Sequence, residues 1–307
     1  MPQLELGLDT FGDVTPGPDG SPLPHAQVIR NLVDEAVMAD QTGVDFIGVG
    51  EHHRDDFAVS APDVVLAAIA ARTSRIRLGS AVTVLSSDDP IRVFQRFSTV
   101  DALSGGRAEV ILGRGSFTES FPLFGFALAD YETLFSEKLD LFAQLATNEP
   151  VTWSGSIRPP LKGQKVYPPL ETGTLKTWIG VGGTPESVVR AARYGLPLML
   201  AIIGGDTDAQ AMEEVYAPYK AMRDRIGSER GWPPMGRDEF EREATHGSFY
   251  VGSPETVAKK IAATVTALGI DRFDLKYSGG PIPHAQLMRC VELYGTRVIP
   301  LVRDMLG

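Results

Sequence analysis

STVDALSGGRAEVILGRGSFTESFPLFG, residues 98–125, joins a helix end, a glycine stop, a short apolar strand and a polar loop. Gly105 and Gly106 suit the left-handed conformation that closes a helix, so the helix should end near Ser104. Residues 108–112 have strand length, with Glu109 their one polar side chain. Gly113, Arg114, Gly115 and Ser116 follow at once. Two glycines let backbone approach a ligand, and the arginine offers a planar fork of donors to a phosphate or carboxylate. An ordinary connecting loop has the same composition, so by itself the stretch leaves both readings open.

Outward from it the strand–helix unit recurs. Strands are expected at residues 4–11, 46–49, 76–85, 108–112, 178–181, 198–203, 248–251 and 273–276. Helices are expected at 26–42, 61–73, 91–103, 130–146 (Asp130 as N-cap), after GGTPES, at 209–226, after SPET, and at 286–305. Two stretches leave the pattern: 150–171, which reads as an inserted hairpin or loop, and 227–245. Eight units in strict alternation predict an α/β fold, a (β/α)8 TIM barrel with insertions, occupying residues 1–307 as a single domain. An open doubly wound sheet is the competing architecture. It needs a nucleotide fingerprint after its first strand, and the proline-rich loop 12–24 has none.

Composition narrows the function. The 29 basic and 39 acidic residues give a net charge of −10, and no basic stripe marks a nucleic-acid surface. The single cysteine, Cys290, cannot form an internal disulfide, which suits a reducing compartment. MPQLELGLDTF lacks the basic and apolar regions of a leader, and no stretch approaches the length of a membrane span. A cytoplasmic protein is expected.

In a parallel barrel, chemistry gathers at the C-terminal strand ends. That rule selects Asp9 and Thr10, then 51–54, 83–89, 114–116, 182–187, Gly204 and Asp206, 252–256 and 276–280. His52 and His53 face opposite ways in extended chain, and His25, His246 and His284 add no metal-like spacing, so no metal site is expected. One inward histidine suits acid or base work, because an imidazole ordinarily titrates near neutrality. A structural bond to Glu51 or Asp55 is the alternative. GTPESV (183–188) and GSPETV (252–257) are capped helix starts whose free N–H groups suit an anion. The general barrel rule favours Gly252 and Ser253 for a phosphate. Asp101 and Arg107, which flank LSGG, read as a structural pair fastening the helix at 91–103.

DALSGGRAEVILGRGSFTESFPLFG (101–125) and GVGEHH (48–53) resemble the corresponding segments of the bacterial luciferase-like flavin monooxygenases. A weaker likeness extends over nearly the whole chain. The resemblance implies an FMN-dependent monooxygenase that uses reduced FMN and O2 to oxygenate a small organic substrate. Reduced flavin would come from a separate NAD(P)H:flavin reductase or from transient NAD(P)H binding, and a homodimer is implied. By the same likeness His52 is the catalytic residue, and Arg114, Gly182, Gly183, Thr184 and Ser187 hold the flavin phosphate. Ala81 and Val82 would flank a cis peptide beneath the flavin ring. Two departures stand out. Gly113 occupies the place of a reactive cysteine in luciferase, which implies a roomier site without light emission. Glu132 occupies the place of a phosphate-binding arginine, leaving Arg114 the chief cation. The family also contains hydride-transferring enzymes with a 5-deazaflavin, against which the acidic balance argues. A non-catalytic flavin-binding protein is the rival class, against which the intact EHH argues. Segment 227–245 is the better lid candidate, with Gly227, Gly231 and Gly236 as hinges and Trp232 and Met235 as apolar cover.

Overall fold

The computed structural model describes residues 4–115, 117–171, 173–180 and 206–307. The chain begins β1 (Glu5–Thr10), α1 (His25–Thr42), β2 (Phe46–Val49), α2 (Pro62–Ala70), β3 (Arg77–Ser80), β4 (Thr83–Val84) and α3 (Pro90–Ser104). It continues β5 (Ala108–Gly113), α4 (Ser120–Phe124), α5 (Tyr131–Leu145), β6 (Val151–Trp153), β7 (Leu161–Gln164) and β8 (Lys176–Ile179). The last described elements are α6 (Asp208–Arg230), α7 (Arg237–His246), α8 (Pro254–Leu268), β9 (Arg272–Lys276), α9 (His284–Leu293) and α10 (Ile299–Leu306). Contacts divide the chain into two units: Met1–Ile47 with Asp55–Ala58 and Pro197–Gly307, and Gly48–Arg54 with Val59–Leu196.

In the first unit β1 and β9 run parallel, with Gly7 opposite Asp274 and Asp9 opposite Lys276. Leu6 and Leu8 are fully buried on one face. On the other, a Cβ at Gly7 would lie 2.1 Å from Asp274 Oδ1, so glycine is what admits that carboxylate. The expected strand 198–203 and the helix after GGTPES lie outside the described residues. The expected strand 248–251 is irregular chain with one bridge at Gly252. Segment 227–245 is not a loop: it is the end of α6, a left-handed turn at Gly231, a short connection and α7. Met235 does not serve as cover, because it packs with Ala211, Val215, Phe240, Ala244 and Val251 in a core of its own.

In the second unit β5 pairs in parallel with β3, β4 and β8 (Gly79 opposite Glu109, Thr83 opposite Leu112, Ile111 opposite Trp178). The strand expected over 76–85 is divided at Ala81–Val82 into β3 and β4. Helix α3 is fixed at both ends: Asp89 accepts the Ile91 amide at 2.8 Å, and Gly105 closes it at φ 66°. Asp130 makes no capping bond, since a 3-10 turn, Leu128–Asp130, runs directly into α5. Arg107 binds the carbonyls of Ala70, Thr73 and Ile76, which ties the end of α2 to the start of β5. Segment 150–171 contains the antiparallel hairpin β6–β7. Among the described residues no helix is long and apolar enough to cross a membrane.

Candidate functional site

The chain leaves β2 into Glu51, His52 and His53. Alternation separates the two rings. His53 Nε2 donates to Glu51 Oε1 at 3.0 Å, and Glu51 Oε2 accepts the Val84 amide at 2.8 Å. One carboxylate therefore ties His53 to the strand that follows the Ala81–Val82 segment. The His52 ring turns instead to Phe117, edge-on, with centroids 5.3 Å apart, and its amide donates to the Val59 carbonyl. The structural bond to Glu51 thus belongs to His53. Phe117 also lies under the Arg54 guanidinium, 4.8 Å away, and Arg54 pairs with Glu119 at 2.7 Å.

The Ala81–Val82 peptide is cis. It is held from both sides: the Ala81 amide donates to the Val49 carbonyl at 2.8 Å, and the preceding Ser80 hydroxyl donates to the Ile111 carbonyl at 3.0 Å. The Val82 side chain rests against two glycines. A Cβ at Gly113 would lie 2.3 Å from Val82 Cγ2, and one at Gly180 would lie 2.5 Å from Val82 Cγ1. Gly113 does not make the site roomier, because Val82 fills the space. Gly115, at φ 82°, is placed likewise against Val84. Segment 82–84 is therefore a ledge built on three glycines.

Arg114 begins the loop beyond β5. Its guanidinium pairs with Glu132 and lies 5.2 Å from the Tyr131 ring centre. The Tyr131 hydroxyl donates to the Gly115 carbonyl at 2.8 Å, and its ring stacks on Phe121 at 5.5 Å. Gly182, Gly183, Thr184 and Ser187 lie outside the described residues. The other helix start, at α8, already holds an anion: Asp208 accepts the Ser253 amide at 2.6 Å and the Thr256 hydroxyl at 3.0 Å. Those donors, the Ser253 amide foremost, hold the Asp208 carboxyl below its ordinary range. A phosphate at Gly252 and Ser253 would have to displace it, which argues against that alternative.

Strand ends of the first unit carry a second polar group, in which Lys276, Ser278 and Gly280 are positions the strand-end rule selects and Asp13 is not. The Asp13 carboxylate accepts from the Ser278 hydroxyl at 2.6 Å, the Gly280 amide at 3.0 Å and Lys276 Nζ at 3.3 Å. Burial would raise its pKa, but Lys276 and these donors offset burial and hold it low. Asp9 is the opposite case. It is fully buried, with neither oxygen hydrogen-bonded among the described residues, and burial, then Asp274, pushes its carboxyl well up. Asp13 sits in a loop rich in glycine and proline, where nothing local distinguishes it. Among the described residues no group of three or more His, Cys, Asp or Glu is placed to hold a metal ion.

A family model for luciferase-like monooxygenases matches residues 10–233. The chain belongs to that family. The uncharacterized protein y4vJ of Sinorhizobium fredii is 25% identical over 333 residues, covering 92% of this chain and 94% of that one. The N-acetyl-S-alkylcysteine monooxygenase of Bacillus subtilis is 30% identical over 190 residues, covering 60% and 54%. Among solved structures, the oxygenating constituent of 3,6-diketocamphane monooxygenase of Pseudomonas putida, in complex with FMN, aligns with TM-score 0.73 at 19% identity, covering 97% and 98%. An F420-dependent secondary alcohol dehydrogenase aligns with TM-score 0.70 at 15% identity, covering 98% and 100%. The likeness to these structures is one of fold. The architecture is the luciferase-like, TIM-barrel-like α/β fold, and this luciferase-like chain is an oxidoreductase.

Proposed function

We propose that this luciferase-like protein is an FMN-dependent monooxygenase that oxygenates a small organic substrate with O2. The observation that carries the reading is the Glu51 bridge. It makes the GEHH segment and the 82–84 ledge one fixed piece, beside the strand end that bears Arg114. The residues present fit a flavin: a glycine-backed apolar ledge for the ring, and a guanidinium steadied on Tyr131 for the phosphate. Gly182, Gly183, Thr184 and Ser187 would complete the phosphate site. Reduced FMN, when bound, supplies the electrons with which O2 is activated. His52 holds or gives a proton at an imidazole nitrogen, and the Phe117 ring shields one side of it from water.

Reduced flavin is supplied by a separate NAD(P)H:flavin reductase or by NAD(P)H acting in place, and residues 1–307 work as one barrel domain. The outward side of α2 supports self-association: Val64 is 64% exposed, and Ala68 and Ala71 continue its apolar stripe. Likeness to the F420-dependent dehydrogenase keeps one rival, hydride transfer with a 5-deazaflavin. An absorption spectrum of the purified protein, with the mass of any released cofactor, separates them. An FMN mass, in whatever substoichiometric amount survives purification, is the expected result, and a deazaflavin mass would reassign the reaction.

A further inference from the structure

Two of the neighbours of Arg114 differ in character. The Tyr131 ring carries no net charge, and its hydroxyl is fixed on the Gly115 carbonyl. Glu132 carries a full negative charge and pairs with the guanidinium directly. An incoming phosphate has to compete with that carboxylate for the same donors, and it meets a like charge beside them. Glu132 is 59% exposed against 21% for Arg114, so the carboxylate can swing into water while the guanidinium stays on Tyr131. We propose that Glu132 is the residue that sets how much anionic charge this site accepts, discriminating against a dianionic phosphate and keeping the cofactor loosely held. This inference rests on the reading of Arg114 as the flavin-phosphate contact.

The consequence is a cofactor that exchanges, as one delivered in its reduced form by another protein must. Glu132 acts as an internal competitor: it neutralises Arg114 when the site is empty and repels the phosphate when it is filled. Removing its charge should therefore tighten FMN and leave riboflavin, which has the same ring and no phosphate, unaffected. The competition is between partly exposed charges, so salt should weaken it.

The test is a titration of FMN and of riboflavin, by quenching of flavin fluorescence, into the wild type, Glu132→Gln, Glu132→Lys and Arg114→Ala. Glu132→Gln should tighten FMN by roughly 3–10-fold and Glu132→Lys by more, with riboflavin constant within about twofold. The gain should shrink between about 20 mM and about 300 mM salt. Parallel changes for the two flavins, or no change for FMN, overturn the proposal. If FMN binds the wild type better than riboflavin and Arg114→Ala alone erases the difference, Arg114 keeps its role and only that of Glu132 falls. If Arg114→Ala weakens both flavins equally, or neither binds any folded variant, the placement of the phosphate falls with it.

Discussion

His53 donates to Glu51, while His52, one residue earlier, turns its ring to Phe117. Period-two alternation at a strand end predicts that the two rings part company, and that much is readable from GEHH alone. The second bond of Glu51, to the Val84 amide, joins positions 33 apart, and no local pattern announces it. Gly113 shows the complementary error. A missing side chain suggests open space, but the space belongs to Val82. Two predictions follow at this scale. His52→Ala should lower turnover by roughly 10²–10⁴ with little change in FMN affinity, read as oxygenated product per reduced FMN consumed. Wild-type turnover in the variant would leave the ring a packing group. Glu51→Ala should cost about 1–3 kcal/mol in a urea melt, because it strands a buried amide and the imidazole, and Glu51→Gln should cost less. An unchanged midpoint for the alanine variant would show that the bridge holds nothing.

Helix ends were the most legible elements, because their signals are local. Gly43 and Gly105 take the left-handed conformation their positions imply. The capping role of Asp89 is hidden in the polar run SSDDP, and Asp130 reads as a cap that the preceding 3-10 turn makes unnecessary. A buried lysine offers the test at this scale. Lys138, on α5, donates to the Ser86 carbonyl at 2.6 Å and lies 4.1 Å from the Phe126 ring centre, fastening the turn beyond β4. Burial lowers its pKa from 10.5 to about 8, against the pull of Asp88 and Asp89. The unfolded chain therefore binds one more proton across that interval, and folding stability rises with pH from about 8 to 10.5. Below that window the ammonium penalty is fully present, and above it the penalty is gone. The difference in unfolding free energy between wild type and Lys138→Met should widen in favour of wild type over this range. A difference that is flat with pH would mean the lysine titrates as if exposed.

For the whole molecule, the family is legible in the GEHH and SGGRAE segments, because each is an unbroken run of sequence. The core formed by α6, α7 and Val251 was not legible, because it brings Ala211 and Val215 against Met235 and Phe240 across a turn that reads as loop. Self-association is testable at the outward side of α2. Light scattering should give a dimer for the wild type and a monomer for Val64→Lys, which puts a charge into the apolar stripe. A monomeric wild type would contradict the dimer. The central claim is that reduced FMN is the cofactor and that Arg114 receives its phosphate. Anaerobic calorimetry with reduced FMN, reduced riboflavin and a reduced 5-deazaflavin addresses it directly. The account predicts that FMN binds more tightly than riboflavin, that Arg114→Ala removes most of that margin, and that the deazaflavin binds more weakly than FMN. A deazaflavin that binds the wild type while FMN does not would contradict it.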